Sequence, residues 1–290
     1  MRILVAIPHY FHADGQSTGA IRHGSLSRDP VPRVEALSAC IAALRQMFDA
    51  PQVVIDIASR RGVPANQTFA ASKLDIVVCT TRGRHILTRL ALPPGSFLHQ
   101  PTDAEPLLLG FECHAVLHER IGDYDYYCYL EDDLVVTDPW LFAKLSWFRN
   151  QVGPESVLLP NRFEVARGGV AWKAYLDGDL VPEVTAQFQN RSERPELGAS
   201  FLGVDARFIR PLNPHSGCFF LGLDQMRHWA VRPDFLDRDC RFIGPLESAA
   251  SLGLMRAFRV YKPAPEVASF LEIAHFGTGF IDNLRLAPKP

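Results

Sequence analysis

The stretch that most constrains this chain is Tyr126-Tyr127-Cys128-Tyr129-Leu130-Glu131-Asp132-Asp133-Leu134-Val135-Val136. Five apolar or aromatic residues run into three consecutive carboxylates, and apolar residues resume at once. A short aromatic-rich run of this kind reads as a buried central strand. Its acidic tip cannot be buried unpaired, because desolvating isolated carboxylates is too costly. A solvated acidic turn is the competing interpretation. The position at the end of the most strand-like run weighs against it, because open α/β sheets bind ligands beyond the carboxyl ends of their strands. Three carboxylates there suit a hard divalent cation that shares its shell with phosphate oxygens.

The residues before this stretch alternate in the manner of an α/β sheet. Arg2-Ile3-Leu4-Val5-Ala6-Ile7-Pro8 is a β-branched run ended by proline. Residues 9–30 form a polar connection rich in glycine and histidine, long enough to be a binding loop or a lid over a bound nucleotide. Val34, Leu37, Ile41, Leu44 and Phe48 recur at helical spacing, with Pro32 near the start. Residues 52–57 and 74–80 read as further strands of the same half-sheet. Their ends offer Pro8, Tyr10, Asp56, Arg82 and Arg84 as candidate nucleotide contacts. A guanidinium matches phosphate oxygens, although either arginine could equally be an ordinary surface residue. Neither a dinucleotide-binding glycine motif nor a P-loop is present.

Beyond the acids, Thr137-Asp138-Pro139 marks a helix start. Residues 161–208 are broken by Gly168-Gly169, Asp177-Gly178-Asp179, Pro182 and Pro195, and read as an irregular insertion on the acceptor side. His215-Ser216-Gly217-Cys218-Phe219-Phe220-Leu221-Gly222 returns to strand. Pro245 opens another helix and puts Glu247 near its positive end, where helix electrostatics alone would favour a carboxylate. Late in the chain, Ile273-Ala274-His275-Phe276-Gly277 sets a histidine in an apolar run, with glycines that let the backbone approach a ligand.

The 290 residues, 47% hydrophobic, can bury a substantial core. A net charge of −2 gives no bulk attraction to nucleic acid or to an anionic membrane. No apolar run approaches a membrane span, so any membrane contact is expected to be peripheral. The six cysteines form no C-x-x-C pair, and four sit in apolar runs. They read as buried free thiols, which favours a reducing, cytoplasmic setting and removes weight from the sequons at Asn66 and Asn190.

Leu130-Glu131-Asp132-Asp133-Leu134 resembles the acidic DXD-type motif of GT-A glycosyltransferases, which use nucleotide sugars. The order of strand, acidic triplet, small-residue strand, acid at a helix start and late histidine is similar to the inverting members over roughly residues 1–280. The resemblance implies a GT-A-like (Rossmann-like) α/β fold: a mixed central sheet flanked by helices, in one continuous domain with an acceptor-side insertion. Residues 1–136 would be its nucleotide-sugar-binding half and 137–290 its acceptor-binding and catalytic half. It implies that Asp133 binds Mn²⁺ or Mg²⁺, completed by His275. Glu131 and Asp132 would face nucleotide or sugar, and Glu247 would be the general base on an acceptor hydroxyl, such as that of a glycan. The position before the base, often a second acid in that family, is Leu246. A sugar nucleotidyltransferase and a non-catalytic nucleotide- or carbohydrate-binding module stay open. The loop from His9 to Gly15 has no lysine, which argues against the first, and Glu247 would be idle in the second.

Overall fold

A computed structural model describes residues 1–13, 24–49 and 51–285. The middle of the 9–30 connection, on which the lid expectation falls, lies outside these residues. The first half contains β1 (Arg2–Pro8), α1 (Val31–Phe48), β2 (Gln52–Asp56), β3 (Arg61–Ala65), β4 (Lys73–Thr81), β5 (Leu98–Thr102), α2 (Leu109–Glu119) and β6 (Tyr126–Leu130). Then come β7 (Leu134–Val135), α3 (Leu141–Val152), β8 (Ser156–Leu158), β9 (Asn161–Val165), β10 (Lys173–Tyr175), α4 (Pro182–Ala186), β11 (Glu196–Phe201) and β12 (Val204–Ile209). The rest comprises β13 (Cys218–Gly222), α5 (Leu223–Ala230), α6 (Pro245–Ala257), β14 (Arg259–Pro263) and β15 (Glu272–His275).

The central sheet has the order β13-β6-β1-β4-β5. β1 is parallel to both β4 and β6, β5 is parallel to β4, and β13 closes the edge antiparallel to β6. Both faces of β1 are covered, which is why its sequence is a continuous apolar run rather than an alternating one. Ile3, Val5 and Ile7 pack with Leu37, Ile41 and Leu44 of α1. Leu4 and Ala6 turn to the opposite face and the core of α2 and α6, which includes Leu109, Cys113, Ala249 and Ala250. The fold is thus a mixed α/β sheet between helical layers. Five of the six free cysteines are buried in it, and among the described residues no helix is long and apolar enough to cross a membrane.

Two sequence expectations need correction. Residues 52–57 do not extend the central sheet: β2 pairs only with β3, in a separate two-stranded ribbon whose Val53, Val54, Ile55 and Val63 are all exposed. Asp56 at its end is exposed, and its carboxylate accepts the Ser59 backbone N–H. The β-branched run fitted a buried strand, but periodicity cannot say which sheet a strand joins. Residues 161–208 are also more ordered than their glycines and prolines suggested. β9 and β10 join a sheet of order β10-β9-β15-β7, and β11 and β12 join one of order β11-β12-β14-β8. These strands are three to six residues long, too short for a clear period.

The first of these small sheets matters most for position. β7 leaves the acidic triplet directly and pairs with β15, which runs parallel to β9. The late histidine is thereby brought back to the acids. On the other side, α6 is seated against α2 and β6 by close contact at Gly110, where an added Cβ would lie 2.6 Å from Ala249 Cβ and 3.0 Å from Tyr129 Oη. Gly110→Ala gains about 1 kcal/mol of helix propensity but incurs roughly 1–3 kcal/mol of overpacking against atoms that cannot rotate away. It is expected to lower the urea midpoint and to shift the start of α6. An unchanged or raised midpoint would contradict this packing.

Candidate functional site

The acids stand where β6 leaves the sheet. A tight turn sets them there: Leu134 N–H donates to the Glu131 carbonyl at 3.1 Å, and Glu131 N–H donates to the Gly217 carbonyl at 2.9 Å. Gly217 is in the left-handed region at φ +62°, and a Cβ there would run into the Glu131 carboxylate, so the position suits only glycine.

Asp132 and Asp133 are 6% and 7% exposed, and their charge is met by Arg33 and His9, themselves 8% and 0% exposed. Arg33 Nη2 donates to Asp132 Oδ1, and Arg33 Nη1 lies 3.2 Å from Asp133 Oδ2. His9 Nδ1 lies 2.5 Å from Asp132 Oδ2, while the ring's Nε2 accepts the Ile86 N–H at 3.3 Å. Nε2 is therefore the acceptor and Nδ1 the donor to the carboxylate. Burial works to raise the Asp132 pKa, but Arg33 and His9 outweigh it and hold the carboxyl well below its ordinary range. Burial opposes the Arg33 charge too, and its two carboxylate partners overcome that.

Asp133 is less saturated. Its Oδ2 lies 3.8 Å from His275 Nε2, beyond hydrogen-bond reach, and its Oδ1 is buried without a partner among the described residues. Among the described residues Arg33 Nε is also buried without a partner. Both residues line a cavity of about 70 Å³ together with Pro8, Tyr10, Glu131, Asp132 and Leu246.

Glu131 sits between two loose partners, Arg162 Nη1 at 3.7 Å and His215 Nε2 at 3.9 Å. Burial pushes its carboxyl up to about 8; Arg162 opposes this, and the charges of Asp133, Glu247 and Asp132 reinforce it. Arg162 is held by Asp177 at 2.7 Å, and the buried Lys262 lies 3.0 Å from the same carboxylate. Burial alone would raise the Asp177 pKa, but Lys262 and Arg162 hold it well below the usual range. Glu247 lies in the first turn of α6, half-buried, its carboxylate folded back toward Gly244 and its charge felt by Glu131.

The structure thus brings together Pro8, Tyr10, Glu131, Asp132, Asp133 and His275, with Glu247 on the facing helix. Asp56 lies on the outlying ribbon. Arg82 and Arg84 are exposed and outside the cavity lining; Arg82 pairs with Glu105. Sequence reading passed over Arg33, His9, Arg162 and Glu164. For Arg33 a signal exists: it stands one turn before Leu37 and two before Ile41, on the apolar stripe of α1, where a solvated arginine does not belong.

No protein-family model matches the chain, and no curated protein matches it. Among solved structures it is similar to S. aureus TarS at 9% identity and a TM-score of 0.44, the alignment covering 97% of this chain and 38% of that one. The chain therefore spans 38% of the length of TarS. It is also similar to CMP:2-keto-3-deoxy-manno-octonic acid synthetase complexed with CTP, at 14% identity and a TM-score of 0.36, covering 91% of this chain and 92% of that one.

The raised Glu131 pKa makes a prediction about stability. The unfolded carboxyl titrates near 4.5 and the folded one near 8, so between these values the folded state binds more protons. Stability then falls as pH rises through that window. Glu131→Gln removes this loss, and its stability relative to wild type should grow with pH by about 1 kcal/mol per unit. Urea denaturation in EDTA at about pH 5 and about pH 8 checks this; a pH-independent difference would contradict it.

Proposed function

We propose that the chain is a metal-dependent glycosyltransferase that moves a sugar from a nucleoside-diphosphate sugar to an acceptor hydroxyl with inversion. The observation that carries this reading is a pair of buried atoms with no partner among the described residues, on two residues that line one cavity: an acceptor, Asp133 Oδ1, and a donor, Arg33 Nε. A divalent cation complements the first and a phosphate oxygen the second.

The residues fit an Mn²⁺ or Mg²⁺ ion. Asp133 offers a carboxylate oxygen, and His275 presents a ring nitrogen 3.8 Å from its neighbour. Among the described residues no group of three or more His, Cys, Asp or Glu side chains is arranged to hold a metal. Two protein ligands suffice for an ion that takes the rest of its shell from phosphate and water. Bound there, such a cation would neutralise charge on the departing nucleoside diphosphate.

The chain's own groups carry the remaining work. Asp132, saturated by His9 and Arg33, anchors the guanidinium and leaves Nε for the diphosphate. Pro8 and Tyr10 wall the cavity on the nucleotide side. Glu131, protonated in good part at neutral pH, has an O–H to donate to a sugar hydroxyl as well as an oxygen to accept from one. Glu247, next to the cavity-lining Leu246 in the first turn of α6, takes the acceptor's proton as the new bond forms.

Glu247→Gln keeps size and polarity while removing proton acceptance. It should leave nucleotide binding intact and lower transfer by a factor on the order of 10² to 10⁴. NMR of the product should find the donor's anomeric configuration inverted. Near-normal transfer by Glu247→Gln, or retention of configuration, would sink the base assignment. A chain that binds nucleotide and transfers nothing would instead be a binding module.

A further inference from the structure

We propose that Glu164 is a positioning residue that locks His275 in the orientation and tautomer able to ligate a cation shared with Asp133. This rests on the metal–nucleotide reading above. Glu164 lies on β9, is 1% exposed, and has every oxygen occupied. Its Oε2 accepts the backbone N–H groups of Phe280 at 2.9 Å and Ile281 at 2.7 Å. Its Oε1 lies 2.8 Å from His275 Nδ1.

With Oε2 taken by two backbone donors, the carboxylate presents Oε1 to the ring as an acceptor, and the imidazole donates its Nδ1–H there. Nε2 is left as a lone pair 3.8 Å from Asp133 Oδ2. That oxygen already accepts from Arg33 Nη1 at 3.2 Å, and the other, Oδ1, has no partner among the described residues. A cation beside Nε2 would take its second protein ligand from this carboxylate. Metal-bound histidines usually donate their second ring N–H to a carboxylate, which fixes the ring and raises its basicity. The backbone supports the same geometry: β15 pairs with β7 so that His275 stands opposite Leu134, and Phe276 N–H donates to the Asp133 carbonyl at 2.7 Å. A buried acid with a purely structural task would need only the two N–H bonds at Phe280 and Ile281. The bond to His275 is the one that points at the site.

The test is a double-mutant cycle on metal affinity, read from the electron paramagnetic resonance of free Mn²⁺ titrated with wild type, Glu164→Gln, His275→Gln and the double variant. Glu164→Gln should weaken Mn²⁺ binding by about 10- to 100-fold. In the His275→Gln background the same change should cost nothing further. Equal weakening in both backgrounds would mean that Glu164 only supports the fold, and no weakening in either would also overturn the proposal. Wild type that binds no Mn²⁺ would overturn the metal reading itself, a distinct result. Should Glu164→Gln not fold, ¹⁵N-histidine NMR of the wild type decides. A His275 ring protonated at Nδ1 is expected, and one protonated at Nε2 overturns the assignment.

Discussion

Everything at this site depends on how two adjacent aspartates are accommodated while buried. Taking a charge out of water costs several kcal/mol unless a partner stays within reach, and removing one member of a buried pair typically costs about 3–5 kcal/mol. Here Arg33 bridges Asp132 and Asp133, and His9 closes the remaining side of Asp132. Three elements meet for this purpose: β1 delivers His9 at its end, α1 delivers Arg33 in its first turn, and β6 delivers the acids. The long connection between β1 and α1 must therefore return Arg33 to the strand it left. The bridge fixes the acids, but it uses up Asp132 and leaves Asp133 with one oxygen unpartnered. That asymmetry distinguishes the two: Asp132 is saturated and Asp133 is not.

Much of this was legible in the chain itself. Buried strands announce themselves by unbroken apolar runs, and β1, β4 and β6 stand where the sequence put them. The acidic tip, the helix start before Glu247 and the late histidine are likewise local signals. What could not be read is which charged residues fold inward. Arg33 looks like any arginine near a helix start until its alignment with Leu37 and Ile41 is noticed. Glu164 carries no signal at all, since it sits among frequent charges and its burial depends on β15, more than a hundred residues later. Asp56 failed for the converse reason: its strand is real, but tertiary pairing took it out of the sheet.

The cavity separates two kinds of carboxylate by environment rather than by type. Asp132 is pressed toward the ionised form by the Arg33 guanidinium and the His9 N–H, and Glu131, with partners too distant to bond, is pressed toward the neutral one. Beside Glu131, Asp177 ties Arg162 to the buried Lys262. Leu246 lines the same cavity from α6, with Glu247 next to it in the first turn, and the close approach of α6 to α2 at Gly110 seats that helix. On the proposed function, donor and acceptor chemistry would divide between the β1–α1–β6 corner and the α6 start, with Glu131 between them.

The most direct test is a thermal-shift comparison of uridine, guanosine, cytidine and thymidine diphosphates, each with Mn²⁺ and with EDTA. A ligand at a hundredfold excess over its Kd stabilises the native state by about 2.7 kcal/mol, enough to raise the Tm by several degrees. The account predicts that at least one nucleoside diphosphate raises the Tm only with Mn²⁺, and that Asp133→Asn abolishes the shift. Stabilisation of equal size in EDTA, or none with any of the four, would contradict it.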